Sequence, residues 1–229
     1  MNKLVHSSRK ARTSVKPAAK TLPVSRTNDP ARTMAGILEV ATAEFANKGL
    51  SGARIDEIAA ATRTSKRMIY YYYGSKEGLY LTVLEESYRS MRQIESALHL
   101  QDLEPEQALR TLVEFTFDHH RSHEDYIRLV MNENMERGAY LAQSKTIREL
   151  NVPAIQAIQH LYERGVKKGV FRPGLDAVDI HASISALTFF NVSNQHTFGV
   201  IFKGNTQRAE AATLRRASIA DMVMRFVLK

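Results

Sequence analysis

The chain is predicted to be all-α, on three observations. Apolar residues recur at three- and four-residue spacing from Asp29 almost to Lys229. No stretch of useful length alternates apolar and polar side chains as a half-buried strand would. Glycine, proline and short capping residues fall at the intervals where helices should end, at Gly49, Gly74, Gly138, Gly169, Pro173, Gly174 and Gly204.

Asp29 before Pro30 reads as an N-cap with proline at the first helical position, and Ile37, Leu38, Ala41 and Phe45 keep helical spacing until Gly49. A short second helix spans Arg54 to Thr62, with Ile55, Ile58 and Ala59 on one side; Asp56 and Glu57 in its first turn favour the positive end of the dipole. Ser65 caps a third helix from Lys66 to Tyr72, and Ser75 caps a fourth that runs through Leu79, Val83, Leu84, Tyr88 and Met91. Five further helices follow: Glu104 or Pro105 to about Arg121, Glu124 to about Arg137, Ile147 to Lys168, Asp176 to about Phe202 and Gln207 to Val227. The expected division is a basic arm over 1–29, a three-helix unit over 30–76 and a helical unit over 77–229, with 77–98 as the connecting helix.

With 229 residues, 44% hydrophobic and 24% charged, the chain has the composition of a soluble globular protein. The absence of cysteine excludes disulfides, thiolate metal sites and thiol nucleophiles, which fits a reducing compartment; the expected location is the cytoplasm. The longest apolar run, near ISALTFF, falls far short of the roughly 20 residues that span a bilayer, so no membrane partner is expected.

The net charge of +8 is unevenly spread. Residues 1–29 carry seven basic groups against Asp29 alone, a net of +6, while each of the stretches 30–98 and 99–229 contributes only +1. Lacking a hydrophobic pattern, this segment is expected to be disordered. It reads either as an arm drawn to DNA phosphate or as a solvated leader or targeting extension.

Helices two and three are separated only by Arg63 to Ser65, which is helix-turn-helix spacing. In that unit the second helix enters the major groove and needs donors at its amino end; Lys66 and Arg67 stand there. The row Tyr70, Tyr71, Tyr72 and Tyr73 follows. At about 100° per residue, Ile69 and Tyr73 share the inner face while Tyr70, Tyr71 and Tyr72 fan outward, where a phenol offers phosphate a rigid hydroxyl. Lys76, at the start of helix four, would meet the same strand beside free N–H groups. Arg54 and Ser65, at the starts of helices two and three, complete the candidate DNA-binding set.

In order and spacing, GLSGARIDEIAAATRTSKRMIYYYYGSKEGLYLTVL resembles the signature of the DNA-binding domain of TetR-family transcriptional regulators. The resemblance covers about fifty residues strongly; beyond them it extends to length and helix order only. It implies an N-terminal helix-turn-helix DNA-binding domain joined to a C-terminal helical ligand-binding and dimerisation domain. It further implies a homodimer on a pseudo-palindromic double-stranded operator and a small-molecule effector that releases it, most often from repression. By this resemblance Lys66 and Arg67 would face bases or phosphates, Tyr70, Tyr71 and Tyr72 would contact the backbone, and Lys76 would hold a phosphate. The turn departs from the family pattern at Arg63, where glycine is usual: an arginine in left-handed conformation costs about 1 kcal/mol, or the turn differs. The usual threonine cap of helix two falls on Ala53, and Arg67 replaces a small residue.

For the effector pocket the expected residues are Phe115, His119, Arg128, Met131, Asn132 and Met135, with Tyr88 and Met91 on helix four and Phe189 on helix eight. The expected dimer face is Ala182, Ser185, Ala186, Phe190 and Ser193, with the last helix completing a four-helix bundle. His119 and His123 have a spacing that could hold a metal, but Ser122 between them and the charges around them fit a solvated helix junction better, so no metal or cofactor is expected. With no G-x-S-x-G, Walker-type loop or H-E-x-x-H, no catalytic residues are assigned and the chain is not expected to be an enzyme. The alternatives are a helical protein-interaction module with a basic tail and, less favoured, a metal-dependent enzyme built on the cluster from His119 to Glu124.

Overall fold

The computed structural model describes residues 29–202 and 209–229; the basic arm expected over 1–29 lies, apart from Asp29, outside them. In chain order the helices are α1 (Pro30–Gly52), α2 (Ile55–Ala61), α3 (Lys66–Tyr73), α4 (Lys76–Ser96), α5 (Pro105–Ser122), α6 (Glu124–Met135), α7 (Lys145–Lys167), α8 (Ala177–Ser193), α9 (Gln195–Phe202) and α10 (Ala209–Val227). Among the described residues there is no strand, only an isolated antiparallel bridge between Phe171 and Leu228.

The caps explain the boundaries. Asp29 Oδ1 accepts from Ala31 N at 3.0 Å, Ser65 Oγ from Met68 N at 3.2 Å and Ser75 Oγ from Gly78 N at 3.0 Å. The break expected at Gly49 is present as a non-helical residue with φ 66°, after which α1 continues for one short turn. Three expected boundaries shift, and a fourth is outside the described residues. Ser144, whose Oγ accepts from Ile147 N at 3.0 Å, starts α7 at Lys145 rather than at Ile147. α6 ends at Met135 rather than near Arg137, because Arg137 and Gly138 both turn left-handed. The helix expected from Asp176 to Phe202 is two helices, parted at Asn194. Gln207, the expected start of the last helix, lies outside the described residues.

Two apolar cores result. The first gathers Ile37, Ala41 and Phe45 of α1, Ile58 and Ala59 of α2, Ile69 of α3 and Leu79, Tyr80, Val83 and Leu84 of α4, and it reaches across to Leu129 of α6 and Ile147 at the start of α7. Each fully buried isoleucine or leucine there stabilises by about 2 kcal/mol. The second packs α5, α7, α8 and α10 around Leu109, Leu112, Ile158, Phe171, Ile184 and Ile219. α4 thus begins in the first core, and its later turns lie against α7 and α5 of the second unit.

Candidate nucleic-acid interface and interior cavity

α2 and α3 meet through a turn that the sequence makes tight. Thr64 N donates to Ala59 O at 3.0 Å and Arg63 N to Ala60 O at 3.2 Å, which requires Arg63 at φ 53°. Of the two alternatives for this turn, the strained left-handed arginine is the one present. Behind α3, the first turn of α4 approaches so closely that a Cβ on Gly78 would stand 2.2 Å from the Tyr73 carbonyl oxygen, which leaves room for glycine alone.

The outer side of α3 carries Lys66, Arg67, Tyr70 and Tyr71, all exposed; Tyr71 is 78% and Tyr70 44% accessible. Tyr73 turns inward as expected, its hydroxyl donating to Met34 O at 3.0 Å. Tyr72 differs from expectation: it is half-buried against the first core, its ring 5.4 Å from that of Tyr71. It sits three positions after Ile69, only about 60° from the inner face, so it flanks the ridge rather than cresting it.

The cations are not all free. Arg54 Nη2 lies 3.0 Å from Asp56 Oδ2, and Lys66 Nζ lies 3.5 Å from the same oxygen. Hydrogen bonding from Arg54 first, with the main chain and the nearby cations adding to it, holds the Asp56 carboxyl down at about 2. Lys76 Nζ donates to Ser51 O at 3.3 Å, tying the start of α4 to the end of α1. Arg54 also explains how α2 starts without the usual threonine: its main-chain N–H donates to Glu44 Oε1 of α1 at 3.1 Å.

Inside the second unit, a cavity of about 320 Å³ opens between α4, α5, α6, α7 and α8, walled by Tyr88, Met91, Arg92, His120, Tyr126 and Phe189. The rings interlock: Tyr88 and Tyr126 meet edge to face at 5.5 Å, and His120 stands 6.0 Å from Phe189 at 90°. Burial lowers His120 to about 3, with the neighbouring His119, His181 and Arg92 adding to it, so its ring is neutral near pH 7; Nδ1 lies 3.0 Å from the Thr188 hydroxyl.

The family model described as bacterial regulatory proteins, tetR family, matches residues 37–83, and that of a tetracyclin repressor-like C-terminal domain matches residues 105–223. The chain belongs to the TetR family. It is a DNA-binding transcriptional regulator. The HTH-type transcriptional repressor NicS of Pseudomonas putida is 34% identical to it over 194 residues, covering 85% of this chain and 92% of the relative. The HTH-type transcriptional repressor SCO4008 of Streptomyces coelicolor is 37% identical over 139 residues, 60% of this chain and 69% of its own. Among solved structures, the transcriptional regulator SCO4942 of Streptomyces coelicolor superposes with a TM-score of 0.64 at 26% identity, covering 85% of this chain and 98% of that one. A regulator from Saccharomonospora viridis in complex with choline shares the fold, with a TM-score of 0.65 at 22% identity over 87% of this chain and 99% of that one.

In this TetR-family regulator the residues expected at the effector site are not brought together. Tyr88, Met91 and Phe189 line the cavity just described. Arg128, Met131, Asn132 and Met135 instead line a cleft of about 240 Å³ with Ala46 and Asn47 of α1, where α6 docks on the DNA-binding unit. His119 is buried, and its ring stacks on His123 at 4.1 Å rather than converging with it on a shared point; Phe115 packs 5.8 Å from His119 and lines neither space. The expected dimer set also divides. Ala182, Ala186 and Phe190 form an exposed stripe one turn apart on α8, whereas Ser185 lines the cavity and Ser193 the cleft.

Sequence reasoning missed Arg92, His120 and Tyr126. For Arg92 the signal existed: it lies four residues after Tyr88, on the same face of α4.

Proposed function

We propose that two copies of the chain pair through α8 and α10, present two α3 helices to successive major grooves of a pseudo-palindromic operator, and release it when a small molecule fills the cavity between α4 and α8. The observation that carries this reading is the capped, solvent-facing row Lys66, Arg67, Tyr70 and Tyr71, with the amino end of α4 beside it. Arg54, Ser65 and Lys76 flank the row as phosphate contacts, and Tyr72 supports Tyr71 from behind.

Two surfaces support pairing: Phe190 on α8 is 46% exposed and Leu214 on α10 is 73% exposed, on helices that pack against each other. A symmetric partner would cover both as a four-helix bundle. The repressor names of the two relatives favour repression, and the choline held by the Saccharomonospora regulator favours a small-molecule effector. The chain acts in the cytoplasm, without a catalytic role, cofactor or membrane partner; no helix among the described residues is long and apolar enough to cross a membrane. The division into a DNA-binding unit over 30–76 and an effector and dimerisation unit over 77–229 follows, with the basic arm ahead of them.

Footprinting of the purified chain on DNA upstream of its own gene, repeated across a salt titration, tests the reading. Protection of a symmetric site that persists at salt concentrations where random duplex is released is the expected result. Uniform, sequence-blind retention would support an interaction module instead.

A further inference from the structure

Among the described residues that line the α4–α8 cavity, Arg92 alone carries a permanent charge, and its surroundings leave part of it unanswered. Its side chain is only 9% exposed. Nη1 pairs with the Glu95 carboxylate one turn along α4, but Nε is buried with no acceptor. Glu95 is not among the residues lining the cavity, so the wall shows the cation and not its counter-ion. The wall therefore offers a buried guanidinium with one N–H donor unanswered.

We propose that the effector is a small aromatic carboxylate whose acid group binds Arg92 and whose ring lies among Tyr88, Tyr126 and Phe189. The proposal rests on this cavity being the effector site. A guanidinium presents five N–H donors in a planar fork, and a carboxylate takes two of them in parallel; the free Nε–H is one of the pair. The rings of Tyr88, Tyr126, His120 and Phe189 face one another edge to face or stacked at 5.5–6.1 Å, a frame into which a flat ring fits. A volume of about 320 Å³ suits one ring or two fused rings. An amine would meet the Arg92 charge head on, and an amide would offer the unanswered Nε–H only a neutral acceptor. Because the acid competes with Glu95 for one guanidinium, binding also rewrites the ion pair on the helix whose other end adjoins α3.

The test is calorimetry and thermal unfolding of the full chain with benzoate and 1-naphthoate, set against benzamide, 1-naphthamide and benzylamine. The acids should bind and stabilise, the amides and the amine should not. Glu95→Gln removes the internal competitor and should tighten acid binding several-fold. Arg92→Gln alone strands a buried carboxylate, so the double variant Arg92→Gln/Glu95→Gln is used, with circular dichroism to check the fold; it should weaken acid binding about tenfold or more. Amides that bind as well as acids, or a folded double variant that keeps the acid, would overturn the proposal. If the cavity-filling Ser185→Trp then abolishes amide binding, the cavity remains the effector site and only the ligand class is wrong. Failure of every ring compound, whatever its charge, overturns both.

Discussion

Asn132 of α6 donates its side-chain amide to the main-chain oxygen of Phe45 on α1 at 3.1 Å. One turn earlier, Arg128 Nη1 reaches Asn47 Oδ1 at 3.2 Å. α6 also supplies Tyr126 to the α4–α8 cavity, so one helix touches both that cavity and the DNA-binding unit. A movement of α6 has a direct path to α1.

Asn132→Ala removes this contact between α6 and α1. The urea midpoint should fall by the equivalent of about 1 kcal/mol, and Asn132→Asp, which sets a carboxylate against the carbonyl, should cost more. Equal stability of the three proteins would show that the grip on α1 is immaterial.

Asp56 pairs with both Arg54 and Lys66, the cations proposed to meet phosphate. Asp56→Asn should therefore raise affinity for random duplex and steepen the dependence of log affinity on log salt by about 1. Anisotropy titrations from low to moderate salt read both quantities. Unchanged affinity and slope would place the two cations outside the DNA contact.

The general outline was legible in the sequence because caps and periodicity are local. Ser65 and Ser75 announce the starts of α3 and α4, and Tyr73 falls one turn after Ile69, so its inward orientation follows from helical geometry. The lining of the cavity and of the cleft was not legible, because it depends on how α6 is rotated. Positions 128, 131, 132 and 135 and positions 126 and 130 lie on different sides of that helix, and only its docking against α1 decides which side meets the cavity. Arg92 was hidden for a related reason: a charged side chain on a long helix reads as solvent-facing until Tyr126 and His181 are seen to enclose it. The exposed stripe of α8 was half legible, since Ala182, Ala186 and Phe190 keep an i, i+4 line that Ser185, about 100° away, cannot share.

Ala186→Glu puts a charge in that exposed stripe. Sedimentation equilibrium should show monomers where the parent forms dimers, and operator affinity should drop with them, since each half-site contact is then made alone. A dimeric variant would move the pairing surface away from α8.

His119 and His120 are lowered to about 4 and about 3, chiefly by burial, with the neighbouring His123, His119, His181 and Arg92 charges disfavouring the proton further. The unfolded chain takes up these protons first as pH falls below the ordinary histidine value near 6.5. Stability contributed by the neutral rings is thus full above about pH 6.5 and is lost progressively toward pH 4. Urea midpoints measured from pH 7 to pH 4.5 should fall more steeply for the parent than for His119→Asn/His120→Asn; parallel profiles would contradict the burial of these rings.

The most direct measurement is anisotropy of the full chain on its footprinted operator and on random duplex of equal length, for the parent, Lys66→Ala and Tyr71→Phe. The parent should prefer the operator by about a thousandfold, and each substitution should weaken operator binding while leaving the fold intact by circular dichroism. Equal affinity for the two duplexes, or substitutions at the outer ridge of α3 that leave operator binding unchanged, would contradict the assignment of that ridge to DNA.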